Sequence, residues 1–284
     1  MRHPSLVSAF GALAILSMPS QTAFAQAPGE RRVTVAEPIP RWPDGHVYIG
    51  PVEEGKGTWN YLGNDGMLLT GKELRPVNPP IPGEVLKRPS PDEVPFQPWA
   101  RALFEYRKQT MLEPYTRCHP GAGARMPGTA YGTVLMEFPE LKRFFVMQTG
   151  GPHSYRTIFM DGRPHPEKLS PSYFGHAVGH WEADTLVVDS VGFNERMWIE
   201  WTGMPHTEKL HLIERVTRIS NEWIRWEFTI DDPGAYTATW SSGYYMRFDP
   251  EGESFEFICQ DNNQASELMV GDMKSVDRSS VFVP

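Results

Sequence analysis

Cysteine is nearly absent from this sequence. Two cysteines occur in 284 residues, far apart, so no Cys-x-x-Cys spacing exists. This excludes a small disulfide-rich scaffold, a dithiol redox site and the common zinc-finger spacings. The pair that remains, Cys118 and Cys259, is predicted to form a disulfide if the protein enters an oxidising compartment. Two separate buried thiols are the alternative.

Clustered positive charge is also lacking. The formal net charge is −8, and the chain contains no block of lysine and arginine. Nucleic acids and anionic membrane surfaces are bound by clustered cations, so we expect neither as a partner. Beyond the N-terminus no apolar run is long enough to cross a bilayer, so we do not expect membrane insertion.

Motifs that hold nucleotides or mark common hydrolases are missing too. The chain has no P-loop, no G-x-G-x-x-G after a predicted strand, no G-x-S-x-G elbow and no H-E-x-x-H. We therefore expect no nucleotide or other organic cofactor.

The N-terminus has the three parts of a secretory signal. A positive start at Arg2 precedes an apolar run over residues 6–18, and Ala23 with Ala25 forms a small-x-small cleavage site. Gln26 follows that site, so a lipid anchor is not indicated. We predict a signal peptide over residues 1–25 and a periplasmic or secreted protein.

The next segment resists regular structure. Residues 26–95 are rich in proline and glycine, which excludes a helix and disfavours strands, so we predict an extended arm. Residues 96–111 are the one convincing helix, since Trp99, Leu103 and Tyr106 recur at helical spacing. The arm carries aromatic side chains suited to anchor it on a folded body: Trp42, Tyr48, Trp59 and Tyr61.

From residue 132 onward the pattern changes to short strands separated by turn signals. The predicted strands are 132–138, 143–149, 155–160, 174–180, 185–191, 197–201, 209–219, 222–230, 239–248 and 254–259. About ten strands with almost no intervening helix indicate an antiparallel barrel or sandwich. We predict an all-β, lipocalin-like barrel of about 8–10 strands. It would be one domain over residues 96–284, with the helix on its flank and an aromatic content of 12 % available to line a cavity.

Residues 181–216 hold an unusual density of groups that carry protons. His206 is placed at a loop-to-strand corner, and an imidazole titrates near neutral pH, which suits proton transfer. We assign His206 as a general base, with Asp189 or Glu214 to orient it or to act as the acid, and His211 as a further candidate. The alternative for His206 is a histidine that caps a turn.

Glu214 has an argument of its own. If Leu212 and Val216 face the core, Glu214 faces it too. A buried carboxylate needs a partner or takes a raised pKa, and a raised pKa would make it a general acid. A structural ion pair is the alternative.

Other side chains are candidates for contact with the substrate. The motif DGRPHP carries Arg163 and His165 on a turn, where they would bind an anionic or phenolic group, and Arg215 is a second cation. Trp181 and Tyr155 are predicted to contact its aromatic part. A rigid loop fixed by its prolines is the alternative for the DGRPHP turn.

A metal site is a minor alternative. His176, His180 and Glu182 share one face of a predicted strand and are sensible zinc or iron ligands. The i, i+4 spacing on a strand is too wide for both histidines to reach one ion without a bulge. We therefore predict no metal.

The chain resembles a large family of exported bacterial proteins. The matching stretches are DGRPHP at 161–166, GHWEADTLVVD at 179–189 and PHTEKLHLIER at 205–215, within a likeness over most of residues 99–263. The resemblance implies a strand-rich, lipocalin-like body and implies no catalytic residues. The family pattern has glycine where Ala183 stands here, and it does not require His176.

These observations favour an exported enzyme without an organic cofactor. It would act on a hydrophobic, aromatic small molecule held in the barrel. A carbon–oxygen lyase, for example one that opens an aromatic ether of a lignin-type compound, fits a base that removes a proton while an acid assists the leaving oxygen. Two alternatives remain open: a periplasmic barrel that only binds and carries a small molecule, and a metal-dependent hydrolase that uses the histidines.

Overall fold

A computed structural model describes residues 38–51, 56–61, 67–68, 86–110, 113–128, 131–150 and 154–259. The predicted signal peptide and much of the predicted arm lie outside these ranges. No helix in the described part of the chain is long and apolar enough to cross a membrane.

Nine strands form one closed barrel, as the sequence predicts. They are β1 Thr58–Tyr61, β2 Thr133–Phe138, β3 Arg143–Gln148, β4 Tyr155–Phe159, β5 His176–Glu182, β6 Thr185–Val191, β7 His211–Arg218, β8 Trp223–Asp231 and β9 Trp240–Asp249. Each strand pairs with the next along the chain, and β9 pairs with β1 to close the barrel. All neighbours are antiparallel except β4 and β5, which are parallel.

Alternation of apolar and polar residues decides which side of each strand faces inward. On β8, Ile224, Trp226, Phe228 and Ile230 are buried, and the residues between them are half-buried. Strand side chains point to opposite faces in turn, so this pattern fits a wall with one face in the core. Each large apolar side chain removed from water in this way contributes about 1.5–3 kcal/mol.

The interior of the barrel is filled by its own side chains. The following inward residues are each at most 1 % exposed: Leu135, Val146, Ile158, Leu186, Val188, Leu212, Val216, Ile224, Trp226 and Phe228. The interior of a small barrel is either filled by side chains or holds one small ligand. These inward residues belong to the apolar core of the barrel.

The arm closes one end of the barrel through the aromatic anchoring that its sequence predicts. Glu137 accepts hydrogen bonds from Trp42 Nε1 at 2.9 Å and from Trp181 Nε1 at 3.3 Å, and His46 Nε2 lies 3.1 Å from it. Arg218 donates to the carbonyl oxygen of Tyr48 at 2.7 Å. Trp181, predicted as a substrate contact, serves here to dock the arm.

The other end is closed by the segment before β2. Two short 3-10 turns, Pro114–Arg117 and Gly123–Arg125, lie in it. Gln148 donates to the carbonyl of Gly121 at 3.0 Å, and the Tyr244 hydroxyl donates to the carbonyl of Ala124 at 2.8 Å. These bonds satisfy backbone groups that a non-repetitive segment would otherwise bury unpaired.

The predicted helix is present as α1, Pro98–Thr110. Ala100, Phe104 and Arg107 are buried, whereas Trp99 is 46 % exposed. A charged residue is not expected on the buried face of a helix. Arg107 can lie there because its guanidinium carbon stacks on Trp198, 4.8 Å from the ring centroid.

Three other segments differ from the sequence predictions. β1 belongs to the predicted arm, so the barrel starts before residue 96. Residues 197–201 form turns outside the wall, with residues 197–200 buried and Trp201 41 % exposed. Residues 254–259 alternate like a strand but form none, since β9 already pairs with β8 and β1 and a closed barrel has no free edge.

The predicted disulfide is present. Cys118 and Cys259 are bonded, with their Cα atoms 5.6 Å apart and a sequence separation of 141. The bond ties the chain that follows β9 to the segment that closes the barrel end.

Ala183 occupies a conformation that suits glycine. It lies with Asp184 in the two-residue connection between β5 and β6, and its φ is +51°. Such a tight hairpin needs a left-handed residue, which costs an L-residue about 1–2 kcal/mol. Glycine would adopt this conformation without that cost.

We expect Ala183→Gly to stabilise the protein by about 0.5–1 kcal/mol, since relief of the left-handed strain exceeds the entropy that glycine adds to the unfolded chain. Urea unfolding measures the change. Ala122, whose φ is −120°, is the control: glycine there should destabilise. A loss of stability in Ala183→Gly would contradict this account of the turn.

Candidate functional site

The parallel pairing of β4 with β5 determines where the candidate site forms. Parallel strands cannot be joined by a tight turn, so the chain must return along the outside of the barrel before β5 begins. Residues 160–175 make this crossover and carry the DGRPHP motif. Ser172 and Gly192 hold its later part against the end of β6, with a backbone hydrogen bond of 3.0 Å.

Three neighbouring strands present polar side chains beneath the crossover. His176 is the first residue of β5, Asp189 lies near the end of β6, and His211 is the first residue of β7. Antiparallel neighbours bring a strand start beside a strand end, so all three lie near one rim. They point outward, since residues of the opposite parity such as Ala177 and Leu212 are buried.

The crossover places His165 against this group. His165 Nδ1 lies 2.8 Å from His176 Nδ1, and His165 Nε2 lies 3.0 Å from Asp189 Oδ1. His211 Nε2 approaches the same Asp189 oxygen at 2.9 Å. We call His176, His165, Asp189 and His211 the histidine relay. Its members are partly open to solvent, with side chains of His165, Asp189 and His211 24 %, 38 % and 35 % exposed.

Hydrogen-bond chemistry assigns the protons in the relay. An ionised Asp189 only accepts, so His165 and His211 both donate from Nε2. His165 Nδ1 then carries a lone pair and must accept from His176 Nδ1–H. The remaining lone pairs are at His176 Nε2 and His211 Nδ1, one at each end of the relay.

The surroundings favour the neutral form of His176. Burial lowers its pKa, and the nearby His165 and Arg163 lower it further. Its ring stacks on Phe159 with centroids 5.0 Å apart. Arg163 lies 4.0 Å from the centroid of Phe159 and is paired with Asp161 at 2.6 Å, and this pairing holds the pKa of the Asp161 carboxyl well below its usual range.

Three predicted residues form a separate, exposed group. His180 lies 3.2 Å from Glu182, and Arg215 lies 2.9 Å from the same carboxylate. The predicted metal alternative needed His176 and His180 to act together, but His176 belongs to the relay. In the described ranges, no three histidine, cysteine, aspartate or glutamate side chains are arranged to hold a metal ion.

His206 does not occupy the predicted position at an open mouth. It is 4 % exposed, its Nδ1 lies 3.0 Å from the carbonyl of Thr207, and burial lowers its pKa. Asp189 binds His165 and His211, and Glu214 binds Arg156, so neither carboxylate orients His206. Its structural alternative, a histidine that holds a turn, describes it better.

Glu214 faces the core, as predicted, and is 0 % exposed. Its Oε2 lies 2.6 Å from Arg156 Nη2, which also donates to Ser190 Oγ at 2.6 Å, and Trp226 Nε1 donates to Glu214 Oε1 at 3.1 Å. A carboxylate enclosed in this way has no route to a substrate. The ion-pair alternative therefore describes Glu214 better than the general acid.

We expect Glu214→Ala to destabilise the protein by about 3–5 kcal/mol, because it leaves the buried guanidinium of Arg156 without its counter-ion. The double variant Arg156→Met with Glu214→Leu should recover most of that loss, since it removes both charges. Urea unfolding of the three proteins measures it. A loss below about 1 kcal/mol in the single variant would contradict a structural role.

Glu200 is a titratable residue that the sequence did not single out. It is 2 % exposed, Thr202 donates to it through both N–H and hydroxyl, and Glu113 and Arg125 lie near it. Burial raises its pKa to about 7. Its only sequence signal is a carboxylate within the apolar run 197–201.

We expect stability to fall as pH rises through the range set by Glu200. The pKa of Glu200 is 4.5 in the unfolded chain and about 7 in the folded protein. Protonated Glu200 therefore contributes its full stabilisation below pH 4.5, and this stabilisation is lost by about pH 7. The loss is about 3 kcal/mol. Glu200→Gln should remove it in urea unfolding at pH 5 and 8, and an unchanged pH dependence would contradict this assignment.

Comparison with protein-family models, curated proteins and solved structures finds no match to this chain. The candidate site therefore stands on its own geometry.

Proposed function

We propose that the protein is an acid–base enzyme whose centre is the histidine relay on the outer wall of the barrel. One observation carries the proposal: a single oxygen of Asp189 contacts two imidazoles, at 3.0 Å and 2.9 Å, and one of these contacts a third. A carboxylate that fixes the tautomer of a histidine is the usual way to make an imidazole an effective base.

The proposed reaction is an elimination that opens a carbon–oxygen bond. His176 Nε2 takes a proton from carbon, the electron pair of that C–H bond forms a C=C bond, and the C–O bond breaks. The imidazolium then returns the proton to the departing oxygen. Through His165, the charge of Asp189 offsets the positive charge that His176 carries between the two steps.

The proposed substrate is an aromatic small molecule. Phe159 lies directly against the base, and Arg163 above it supplies a positive charge for a phenolate or carboxylate. No organic cofactor enters this scheme. We further propose export to the periplasm or beyond, which the disulfide between Cys118 and Cys259 supports, since such bonds persist in oxidising compartments.

The carrier alternative has less support. It would place the ligand inside the barrel, among inward side chains that are at most 1 % exposed.

The decisive test compares histidines on one strand. His176→Ala and Asp189→Asn should lower turnover about 10²–10⁴-fold, the usual contribution of a general acid or base. His180→Ala is the matched control, because His180 also points outward on β5 but lies outside the relay. Mass spectrometry of a mixture of aryl ethers, incubated with each variant without added cofactor, measures conversion.

Two results would overturn the proposal. One is conversion that survives Asp189→Asn with circular dichroism unchanged. The other is equal loss in His176→Ala and His180→Ala, which would show that the relay has no special part.

A further inference from the structure

The outer faces of β3 and β4 are mostly apolar, with Arg143 and Thr157 as their polar residues, whereas a solvated wall is normally polar. Phe145 and Met147 point outward from β3, and Tyr155 points outward from β4 with 63 % of its surface exposed. Phe138 extends the group from β2. The rings form a ladder, with centroids 5.7 Å apart between Phe138 and Phe145 and 6.3 Å apart between Phe145 and Tyr155. We call these four residues the outer platform.

The opposite wall, β7 and β8, carries mostly polar side chains on its outer face. Its outward residues include His211, Ile213, Arg215, Thr217, Trp223, Arg225, Glu227 and Thr229. Antiparallel sheets with one solvated face carry polar residues on that face. A contiguous apolar patch on one side of the wall therefore marks a binding surface.

The register joins the outer platform to the relay. Phe145 pairs with Thr157, and the pairing of Ile158 with Ala177 sets Thr157 beside His176. Neighbouring strands lie about 4.8 Å apart, so Phe145 and His176 are about 10 Å apart across one outward row. Met147 pairs with Tyr155 one step further toward the rim.

We propose that the outer platform binds the apolar end of the substrate, and that this substrate has two aromatic rings joined by a short linker. This inference rests on the proposed function. One ring lies on Phe145 and Tyr155, and the linker spans the row to His176, where the bond breaks. A single ring on the platform would leave its bonds too far from His176 Nε2 to react.

Binding is tested without turnover. The probe is 4,4′-dihydroxystilbene, which has two phenol rings and a two-carbon linker, and phenol is the one-ring comparison. In protein labelled at the methionine methyl groups, the Met147 resonance, assigned with Met147→Leu, should shift with stilbene. Tyr155→Ser should weaken binding about tenfold and Tyr155→Phe less than twofold, because the ring supplies the contact.

Trp99→Ser is the matched control, since Trp99 is a similarly exposed aromatic residue on α1. Its affinity should equal that of the parent protein. An unshifted Met147 resonance, an unchanged affinity in Tyr155→Ser, or phenol binding as tightly as stilbene would each overturn the inference.

The relay mechanism and the binding role of the outer platform can be tested independently of each other. Asp189→Asn should keep stilbene affinity while it loses turnover. If Asp189→Asn converts aryl ethers normally while Tyr155→Ser loses its affinity for stilbene, the binding role of the outer platform is supported and the relay mechanism is wrong. If Tyr155→Ser leaves both stilbene affinity and KM unchanged while Asp189→Asn abolishes turnover, the relay stands and the platform is wrong.

Discussion

Two parallel neighbours in a barrel cannot be joined by a tight turn and need a crossover connection. In this chain β4 and β5 impose that need, and the segment between them has no helix to span the distance. An extended crossover must instead make its own contacts with the wall. His165 supplies one such contact by reaching His176 and Asp189. The relay is thus a product of strand topology as much as of local sequence.

Inside the barrel, charged side chains are paired with each other. Arg156 and Glu214 neutralise each other and are enclosed by Ser190 and Trp226. A buried ion pair adds little net stability over an apolar pair, but it strongly disfavours any arrangement that separates the two charges. The pair therefore specifies the register of β4 relative to β7, two strands that do not touch each other in the sheet.

The sequence predicts the wall well and the ends poorly. β6 spans Thr185–Val191, as predicted, because its apolar residues lie between clear turn signals. β1 was missed because four residues among prolines and glycines carry too little pattern, and its pairing with β9 is a contact between distant parts of the chain. The sequence of residues 197–201 predicts a strand because burial at the end of a barrel gives the same apolar run as burial in its wall.

The candidate site was predicted in its parts but not in its pairings. His165, Asp189 and His211 were all identified, yet Asp189 was assigned to His206. Sequence spacing shows which face of a strand a residue occupies, and it correctly turned Glu214 inward. It does not show which loop crosses which strand, so it could not bring His165 to His176. One sequence signal does indicate that these side chains meet at one rim: His176, Asp189 and His211 lie at alternating strand ends.

A relay on the outer wall has one more consequence, which concerns size. Enzymes that work inside a barrel can accept only molecules that fit through its mouth. Here the groups that carry protons lie about one-third exposed at the rim, and the side chains behind them are buried. In the proposed reaction, a substituent of any length could remain in solvent while the reactive bond meets His176. The same arrangement would therefore serve a free dimer, a chain end or a unit within an insoluble polymer.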